Sequence, residues 1–131
     1  MDDAALQLSS QVCFPIYSAS RLITKAYKPY LDEMGITYPQ YLVLMVLWEK
    51  DHLSVHQITE KLLLNTNTLS PLLKRMEKLE LIARNRSRED ERSVIVGLKE
   101  KGRQLKDKAK PIPENLLKIL LDENIQLSEI L

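Results

Sequence analysis

The stretch from Ser54 to Leu98 decides the fold, and its centre reads Thr68-Leu-Ser-Pro-Leu-Leu-Lys-Arg-Met-Glu-Lys78. Apolar residues recur there at i, i+3, i+4 and i+7, which places them on one face of a short amphipathic α-helix. Ser70, Lys74 and Arg75 fall outside that face and are expected to meet solvent or a ligand. The apolar set is Leu69, Leu72, Leu73 and Met76.

Shorter patterns flank this helix on both sides. Residues 55–62 carry apolar side chains at helical spacing and predict a preceding helix. Two β-like runs, residues 82–86 and 93–98, follow and enclose the charged stretch 87–92. The order of helix, turn, helix and two-stranded wing is that of a winged helix-turn-helix, a DNA-binding architecture. It is predicted to span about residues 53–99.

Capping residues mark two further helix starts. Thr37 is placed as an N-cap with Pro39 in the first turn, and the helix that follows is apolar nearly all round, as a central core helix is. Ser54 is placed as the next N-cap, with Gln57 at the position that completes a capping box.

Pro71 bears on where the central helix begins. The polar run 65–68 is predicted to be the turn, and the recognition helix is predicted to continue to about Leu79. Pro71 is harmless if the cap is Thr68 or Ser70, but it costs a hydrogen bond if the helix starts earlier.

The first helical region is predicted over residues 6–31. A proline is tolerated only in the first turn of a helix, so Pro15 implies either a main helix that begins near Val12 or a kink. In the first case Cys13 lies in the first turn, where the helix dipole helps to stabilise a thiolate. Pro29 suggests a second bend or an early end.

The C-terminal part is also predicted to be helical. A basic helix should run over residues 99–110, with Pro111 and Pro113 interrupting it, and a short apolar helix over 116–121. Residues 127–131 resemble the start of another helix.

Composition fits one mainly α-helical domain: 131 residues, of which 44% are hydrophobic. The net charge of +1 is unevenly divided. Residues 74–110 hold 13 Lys or Arg against 7 Asp or Glu (+6), and the remainder holds 6 against 11 (−5), which together give +1. This asymmetry favours a basic DNA-facing portion on an acidic body. With an acidic start and no apolar run long enough to cross a bilayer, we expect a cytoplasmic protein that does not bind membranes.

The predicted DNA contacts come from the turn, the recognition helix and the wing. Arginines in and around one short hairpin are costly without a nearby anion, and a wing-tip arginine fits the narrow minor groove. Asp90 or Glu91 is expected to hold Arg92 by a charge-assisted bond. The alternative is an ordinary solvated hairpin and surface helix. The predicted set is Asn65, Thr66, Asn67, Thr68, Ser70, Lys74, Arg75, Arg84, Arg86, Arg88, Asp90 and Arg92.

Cys13 is the second candidate site. A lone cysteine of this kind is most often a small buried hydrophobe, whereas a reactive thiol needs access and stabilising neighbours. All five tyrosines of the chain lie between Tyr17 and Tyr41, close to Cys13 in sequence, although tyrosines also simply pack with one polar end in water.

Other chemistry finds little support. His52 and His56 are spaced i, i+4, but a helix cap at Ser54 separates them, so a metal site there is a weak alternative. No phosphate-binding glycine loop, catalytic triad or carboxylate pair stands out, so we expect neither an enzyme nor a cofactor.

Four stretches carry a resemblance to a known family: Cys13-Phe-Pro-Ile-Tyr17, residues 31–48, residues 68–77 and Arg88-Glu-Asp-Glu-Arg92. On these stretches the chain resembles the MarR family of transcription regulators, over about residues 6–121. Within that family, Cys13 with Tyr27 and Tyr38 resembles the one-cysteine organic-hydroperoxide sensors (OhrR type).

The resemblance implies a homodimer on a palindromic DNA operator, joined by helices at about residues 6–34 and 99–131. It implies that Cys13 is oxidised by organic hydroperoxide, with Tyr27 and Tyr38 of the partner subunit bonding its thiolate, and that oxidation releases the operator. Without a second cysteine, the sulfenic acid would form a mixed disulfide with a low-molecular-weight thiol or become over-oxidised.

The chain also departs from the family pattern. Asn65-Thr-Asn67 replaces the usual Asp-Ser-Gly, and Lys99 stands where a capping threonine is common. The last dimerisation helix would begin near Ser128 and is expected to be incomplete. Two other functions stay open: a MarR-type repressor released by a small phenolic or anionic ligand, with Cys13 structural, and a thiol peroxidase.

Overall fold

The computed structural model describes residues 3–122, which are mainly helical and include one small antiparallel sheet. The chain divides into two compact units, one of residues 31–110 and one that holds residues 3–30 and 111–122. None of the helices within residues 3–122 is both long and apolar enough to cross a membrane. The helices are α1 (Cys13–Met34), α2 (Tyr38–Glu49), α3 (Val55–Leu62), α4 (Thr66–Lys78), α5 (Glu100–Ala109) and α6 (Ile112–Asp122); the strands are β1 (Leu53–Ser54), β2 (Ile82–Arg86) and β3 (Val94–Leu98).

The unit of residues 31–110 is a winged helix-turn-helix. Helices α3 and α4 are joined by a short turn, and β2 and β3 form the wing hairpin, as the sequence predicts. The sequence predicts two strands, whereas the structure has a third, β1, which pairs with β3 and gives the sheet order β1-β3-β2. Two residues are too few to show the alternation that signals a strand. The core of this unit includes Val43, Leu44, Ile58, Leu69, Leu73, Met76, Ile82 and Val96, all fully or almost fully buried.

The predicted N-cap at Thr37 and the predicted capping box at Ser54 are both present, and Thr37 also forms a capping box, which was not predicted. Thr37 accepts from the backbone of Gln40 and the Gln40 side chain accepts from the backbone of Thr37; Ser54 and Gln57 repeat the arrangement at the start of α3. These reciprocal bonds satisfy amides that an isolated helix start leaves without partners.

Helix α4 begins earlier than predicted. Its N-cap is Asn65, whose Oδ1 accepts from the backbone N–H of Thr68 at 2.8 Å, so residues 66–68 form its first turn. The predicted turn over residues 65–68 is therefore wrong. Pro71 lies inside the helix and has no N–H to donate to the carbonyl of Asn67. Of the two alternatives for Pro71, the structure therefore has the one in which a helical hydrogen bond is lost.

Helix α1 resolves the alternatives at its start and corrects the prediction at its end. It begins at Cys13, which places Pro15 in the first turn. The early end at Pro29 is wrong, because the helix continues to Met34 and Gly35 follows it with φ +71°. A positive φ at the residue after a helix is a position that glycine occupies without strain.

The unit that includes α6 leaves many apolar side chains in solvent. Helix α6 begins at Ile112, earlier than the predicted residues 116–121, with Pro113 as its second residue. The helix expected from residue 127 onward lies outside the described residues. Large exposed apolar side chains of this unit include Leu6, Leu8, Val12, Phe14, Ile16, Tyr17, Leu117 and Leu121.

Candidate DNA-binding surface and candidate redox site

One face of α4 is buried and the other is open. Leu69, Leu72, Leu73 and Met76 are buried, as their spacing predicts. The predicted contact residues of α4 fall on the remaining surface. Thr66, Asn67, Thr68, Lys74 and Arg75 are exposed, and Ser70 is half-buried. Hydroxyl, amide and cationic groups at the start of such a helix suit contacts to base edges and phosphates.

Asn65 has a structural task beside the one predicted from sequence. Its carboxamide oxygen caps α4 through the backbone N–H of Thr68. Replacing such a cap by alanine typically costs about 1 kcal/mol. Asn65 therefore fixes the start of the helix that carries Thr66, Asn67 and Thr68.

The wing loop between β2 and β3 is organised by Ser87 and Asp90. The Ser87 Oγ accepts from the backbone N–H of Glu89 and of Asp90, at 3.2 and 3.3 Å. One Asp90 carboxylate oxygen accepts from the backbone N–H of Arg92 at 3.0 Å, and the other accepts from the Ser93 hydroxyl at 3.2 Å. The predicted bond was to the Arg92 side chain, whereas the bond observed is to the Arg92 backbone, so Asp90 shapes the loop and does not fix the Arg92 rotamer.

The four wing arginines have different surroundings. The Arg84 Nε donates to Glu77 Oε1 at 2.6 Å, and Arg86 Nη1 donates to the backbone carbonyl of Glu91 at 3.3 Å. Arg88 and Arg92 lie in the loop and are exposed. The structure thus pairs the half-buried Arg84 with Glu77 and presents Arg88 and Arg92 at the wing tip.

All the residues predicted to contact DNA belong to the unit of residues 31–110, on α4 and its cap and on the wing. Sequence reasoning missed Glu77, which lies in the last turn of α4 and binds Arg84 across the turn to β2. Glu77 lies on a helix and Arg84 on a strand, so helical spacing cannot predict that they pair. The one signal in the sequence is an acidic residue close to a cluster of arginines.

The candidate redox residues are spread along the chain. Cys13 is exposed at the first position of α1 and Tyr27 is half-buried in the same helix. Fourteen residues at a rise of about 1.5 Å place their backbones about 21 Å apart along the helix axis. Tyr38 is half-buried and is the first residue of α2, in the unit of residues 31–110. Within one helix, Tyr27 therefore cannot reach the Cys13 sulfur of its own chain.

A second tyrosine is closer to Cys13 along α1. Tyr17 lies one helical turn after Cys13, and the guanidinium carbon of Arg21 is 5.7 Å from the centre of its ring. This distance is in the range of a cation–π contact. Arg21 was not among the predicted site residues, although its i, i+4 spacing from Tyr17 is a signal that a search of helix faces could use.

The histidines do not form a metal site in the part of the chain that the structure describes. No group of three or more His, Cys, Asp or Glu able to hold a metal ion occurs within residues 3–122. His56 Nε2 lies 2.9 Å from Glu60 Oε1 on the exposed side of α3, and His52 lies near Asp51. These are surface pairs of a kind that contributes little to stability.

Comparison with known proteins agrees with this geometry. Residues 25–109 match the family described as transcriptional regulator SarA/Rot. The organic hydroperoxide resistance transcriptional regulator of Bacillus subtilis is 53% identical over 112 residues, which cover 86% of this chain and 76% of that one. The regulator SarZ of Staphylococcus aureus is 37% identical over 122 residues, covering 93% and 80%.

Solved structures of related regulators have a similar fold. Reduced AbfR bound to DNA is 36% identical, with a TM-score of 0.78, and the match covers 95% of this chain and 90% of AbfR. AbfR has also been solved in an overoxidised form bound to DNA and in a disulfide form. The fold and these relatives define a winged-helix transcription regulator. The chain belongs to the MarR/SarA family, in its branch of organic-hydroperoxide regulators, which confirms the predicted fold class and the resemblance.

Proposed function

We propose that this protein is a homodimeric repressor that binds a palindromic DNA operator and releases it when organic hydroperoxide oxidises Cys13. The observation that carries the proposal is the exposed Cys13 at the start of α1 in a chain that also contains a winged helix-turn-helix. A thiol that must meet a peroxide has to be accessible, and this one is. The operator lies on the chromosome, so we place the protein in the cytoplasm, acting as a regulator and not as an enzyme.

In this proposal α4 enters the major groove and the wing tip enters the flanking minor groove. The exposed first turn of α4, Thr66 to Thr68, is placed to read base edges, while Lys74 and Arg75 contact phosphates. Arg88 and Arg92 are the minor-groove candidates because both are exposed in the wing loop. Asn65 and Asp90 hold these two elements in shape.

The exposed apolar side chains support the homodimer. Val12, Ile16 and Leu121 are 75%, 57% and 71% exposed, which is unusual for a surface that faces only water. A second copy related by two-fold symmetry covers such side chains on both chains at once. We therefore propose that the segments at about residues 6–34 and 99–131 form the dimer interface, and a palindromic operator follows from the two-fold axis.

Two tyrosines complete the proposed sensor from the other chain. Tyr27 lies about 21 Å along α1 from Cys13 in its own subunit, so it can bond the thiolate only as Tyr27 of the partner subunit. The same role is proposed for Tyr38 of the partner subunit. Their hydroxyls would donate to the sulfur in the reduced state.

The proposed reaction is a two-electron oxidation. The Cys13 thiolate attacks the terminal oxygen of the hydroperoxide ROOH, the O–O bond breaks, and the products after proton transfer are a sulfenic acid and the alcohol ROH. A low-molecular-weight thiol RʹSH then displaces water to give a mixed disulfide. AbfR has been solved with DNA in both reduced and overoxidised forms and also in a disulfide form, so we propose a disulfide of Cys13 as the species that releases DNA.

The test compares wild type with Cys13→Ser in a gel shift on a duplex that the wild-type protein enriches from a random pool. An organic hydroperoxide with a low-molecular-weight thiol should release wild type and leave Cys13→Ser bound. Equal release of both proteins would sink the sensor role and favour the ligand-released repressor. Steady consumption of peroxide over many turnovers with added thiol would favour the thiol peroxidase.

A further inference from the structure

Glu77 and Arg84 join the last turn of α4 to the wing. The Arg84 Nε donates to Glu77 Oε1 at 2.6 Å, and the backbone N–H of Arg84 donates to Glu77 Oε2 at 3.3 Å. The two side chains are 32% and 29% exposed, so the pair is partly shielded from water. One carboxylate thus holds both the backbone and the side chain of a single strand residue.

The position of Arg84 in the sheet explains this geometry. Strand β2 is an edge strand, and an edge leaves backbone N–H groups without ladder partners. Glu77 satisfies one of them. Residues directly opposite in an antiparallel pair share a face, and Arg84 lies opposite Val96, which is fully buried. The Arg84 side chain therefore lies on the core-facing side of the wing.

The segment between α4 and β2 is short and its shape is unusual. It consists of Leu79, Glu80 and Leu81, and Glu80 has a φ of +61°. This segment is the direct covalent link between α4 and the wing, so a change in the angle between them involves rotation within it. Such a rotation breaks the two bonds to Glu77, which are charge-assisted and directional.

We propose that Glu77 is a positioning residue for DNA recognition: it fixes the wing relative to α4 so that both engage one duplex, and it withholds Arg84 from phosphates. This inference rests on the proposed DNA-binding function. Two grooves of one operator can be read together only if helix and wing keep their relative angle. A guanidinium released from Glu77 could bind any phosphate, which adds affinity without sequence preference.

The experiment measures affinity for the enriched duplex and for a scrambled duplex of equal length. In Glu77→Gln, affinity for the enriched duplex should fall about ten-fold, the scale of one well-placed contact, while affinity for the scrambled duplex holds or rises. The matched control is Glu100→Gln, which removes another Glu–Arg pair, 3.2 Å long, on α5. It should change neither affinity.

A double-mutant cycle with Arg88→Ala shows whether Glu77 acts through the wing. The two changes should be strongly non-additive, because a wing that is already misplaced gains nothing from its tip arginine. Thermal unfolding of each variant checks folding, and Glu77→Asp, which shortens the reach but keeps the charge, is measured if Glu77→Gln does not fold.

Three outcomes overturn the inference. If Glu77→Gln binds the enriched duplex more tightly, Arg84 contacts DNA directly, as the sequence predicted. If the two changes in the cycle are additive, Glu77 does not act through the wing. If the wild-type chain enriches no duplex at all, the proposed DNA-binding function fails as well, which separates that failure from the other two.

Discussion

The indole N–H of Trp48 donates to the backbone carbonyl of Gly102 at 2.9 Å, across 54 residues of sequence. This bond joins α2 to α5 within the unit of residues 31–110, which carries the candidate DNA-binding surface. Gly102 is also where α5 approaches the chain just before β2, since a Cβ built there would collide with the backbone carbonyl oxygen of Leu81. A close backbone approach of this kind requires glycine.

Gly102→Ala should therefore destabilise the protein. In an ordinary helix interior the change from glycine to alanine stabilises by about 1 kcal/mol, but here the methyl group must displace backbone. We expect a loss of about 1–3 kcal/mol, as for an overpacked core. Urea unfolding followed by circular dichroism measures it, with the exposed Lys108→Ala on the same helix as a near-neutral control. A midpoint equal to or above wild type would contradict the close approach.

Glu80→Gly should have the opposite sign. Glu80 adopts a φ of +61° after α4, and the backbone N–H groups of Glu80 and Leu81 donate to Glu77 and Met76 at 2.9 and 3.1 Å. An L-residue in this left-handed conformation costs about 1–2 kcal/mol. Glycine removes this cost, but part of the stabilisation is lost because glycine also raises the conformational entropy of the unfolded chain.

The net effect of Glu80→Gly should be a stabilisation of about 0.5–1 kcal/mol, seen as a higher unfolding midpoint. Lys78→Gly, two residues earlier at the last residue of α4, should instead lower the midpoint because glycine weakens a segment with helical backbone angles. If both changes act in the same direction, the left-handed conformation at Glu80 is not what limits stability.

Most of the winged helix could be predicted because its elements are long or capped. The apolar spacing of α4 and the two capping boxes are local signals that the fold respects. The ends of α3 and α4 were predicted to within one residue, although Leu63 and Glu80, and not glycines, take the left-handed positions that follow them. The errors have local causes. Pro29 allows an early end of α1 by its residue type, yet the helix continues to Met34.

The candidate site could be predicted only as a set of residue types. The sequence places arginines around the wing, but which of them face DNA depends on pairs made across the fold. Arg84 is bound by Glu77 and Arg88 is exposed, and nothing in their own neighbourhoods distinguishes them. Likewise, the roles proposed for Tyr27 and Tyr38 depend on a second subunit, which no single-chain pattern encodes.

Arg88→Ala should weaken DNA binding through the wing tip alone. We expect about a ten-fold loss on the enriched duplex, and a slope of log K against log salt that is shallower by about 1, because one cation–phosphate or minor-groove contact is removed. Fluorescence anisotropy at several salt concentrations gives both values. Lys110→Ala, at the end of α5 and paired with Asp107 at 3.0 Å, is the charge-matched control. Equal losses in the two variants would mean that net charge, and not the wing, sets affinity.

The placement of Tyr27 against Cys13 of the other subunit can be tested with mixed dimers. In the first dimer one chain carries Cys13→Ser and the other Tyr27→Phe; in the second, one chain carries both changes and the other is wild type. Each dimer has one Cys13. If the tyrosine acts across the interface, the remaining Cys13 of the first dimer faces an intact Tyr27, and that of the second dimer does not.

Oxidation of Cys13 should therefore be near wild-type in the first dimer and about ten-fold slower in the second, the scale of one hydrogen bond to a charged group. Trapping the sulfenic acid with a dimedone-type probe measures the rate on each dimer, separated by two affinity tags. A second dimer with Tyr30→Phe in place of Tyr27→Phe serves as the control and should react at the wild-type rate, because Tyr30 has no proposed role. The reverse order of rates would place Tyr27 beside the cysteine of its own chain, which the length of α1 between them does not allow.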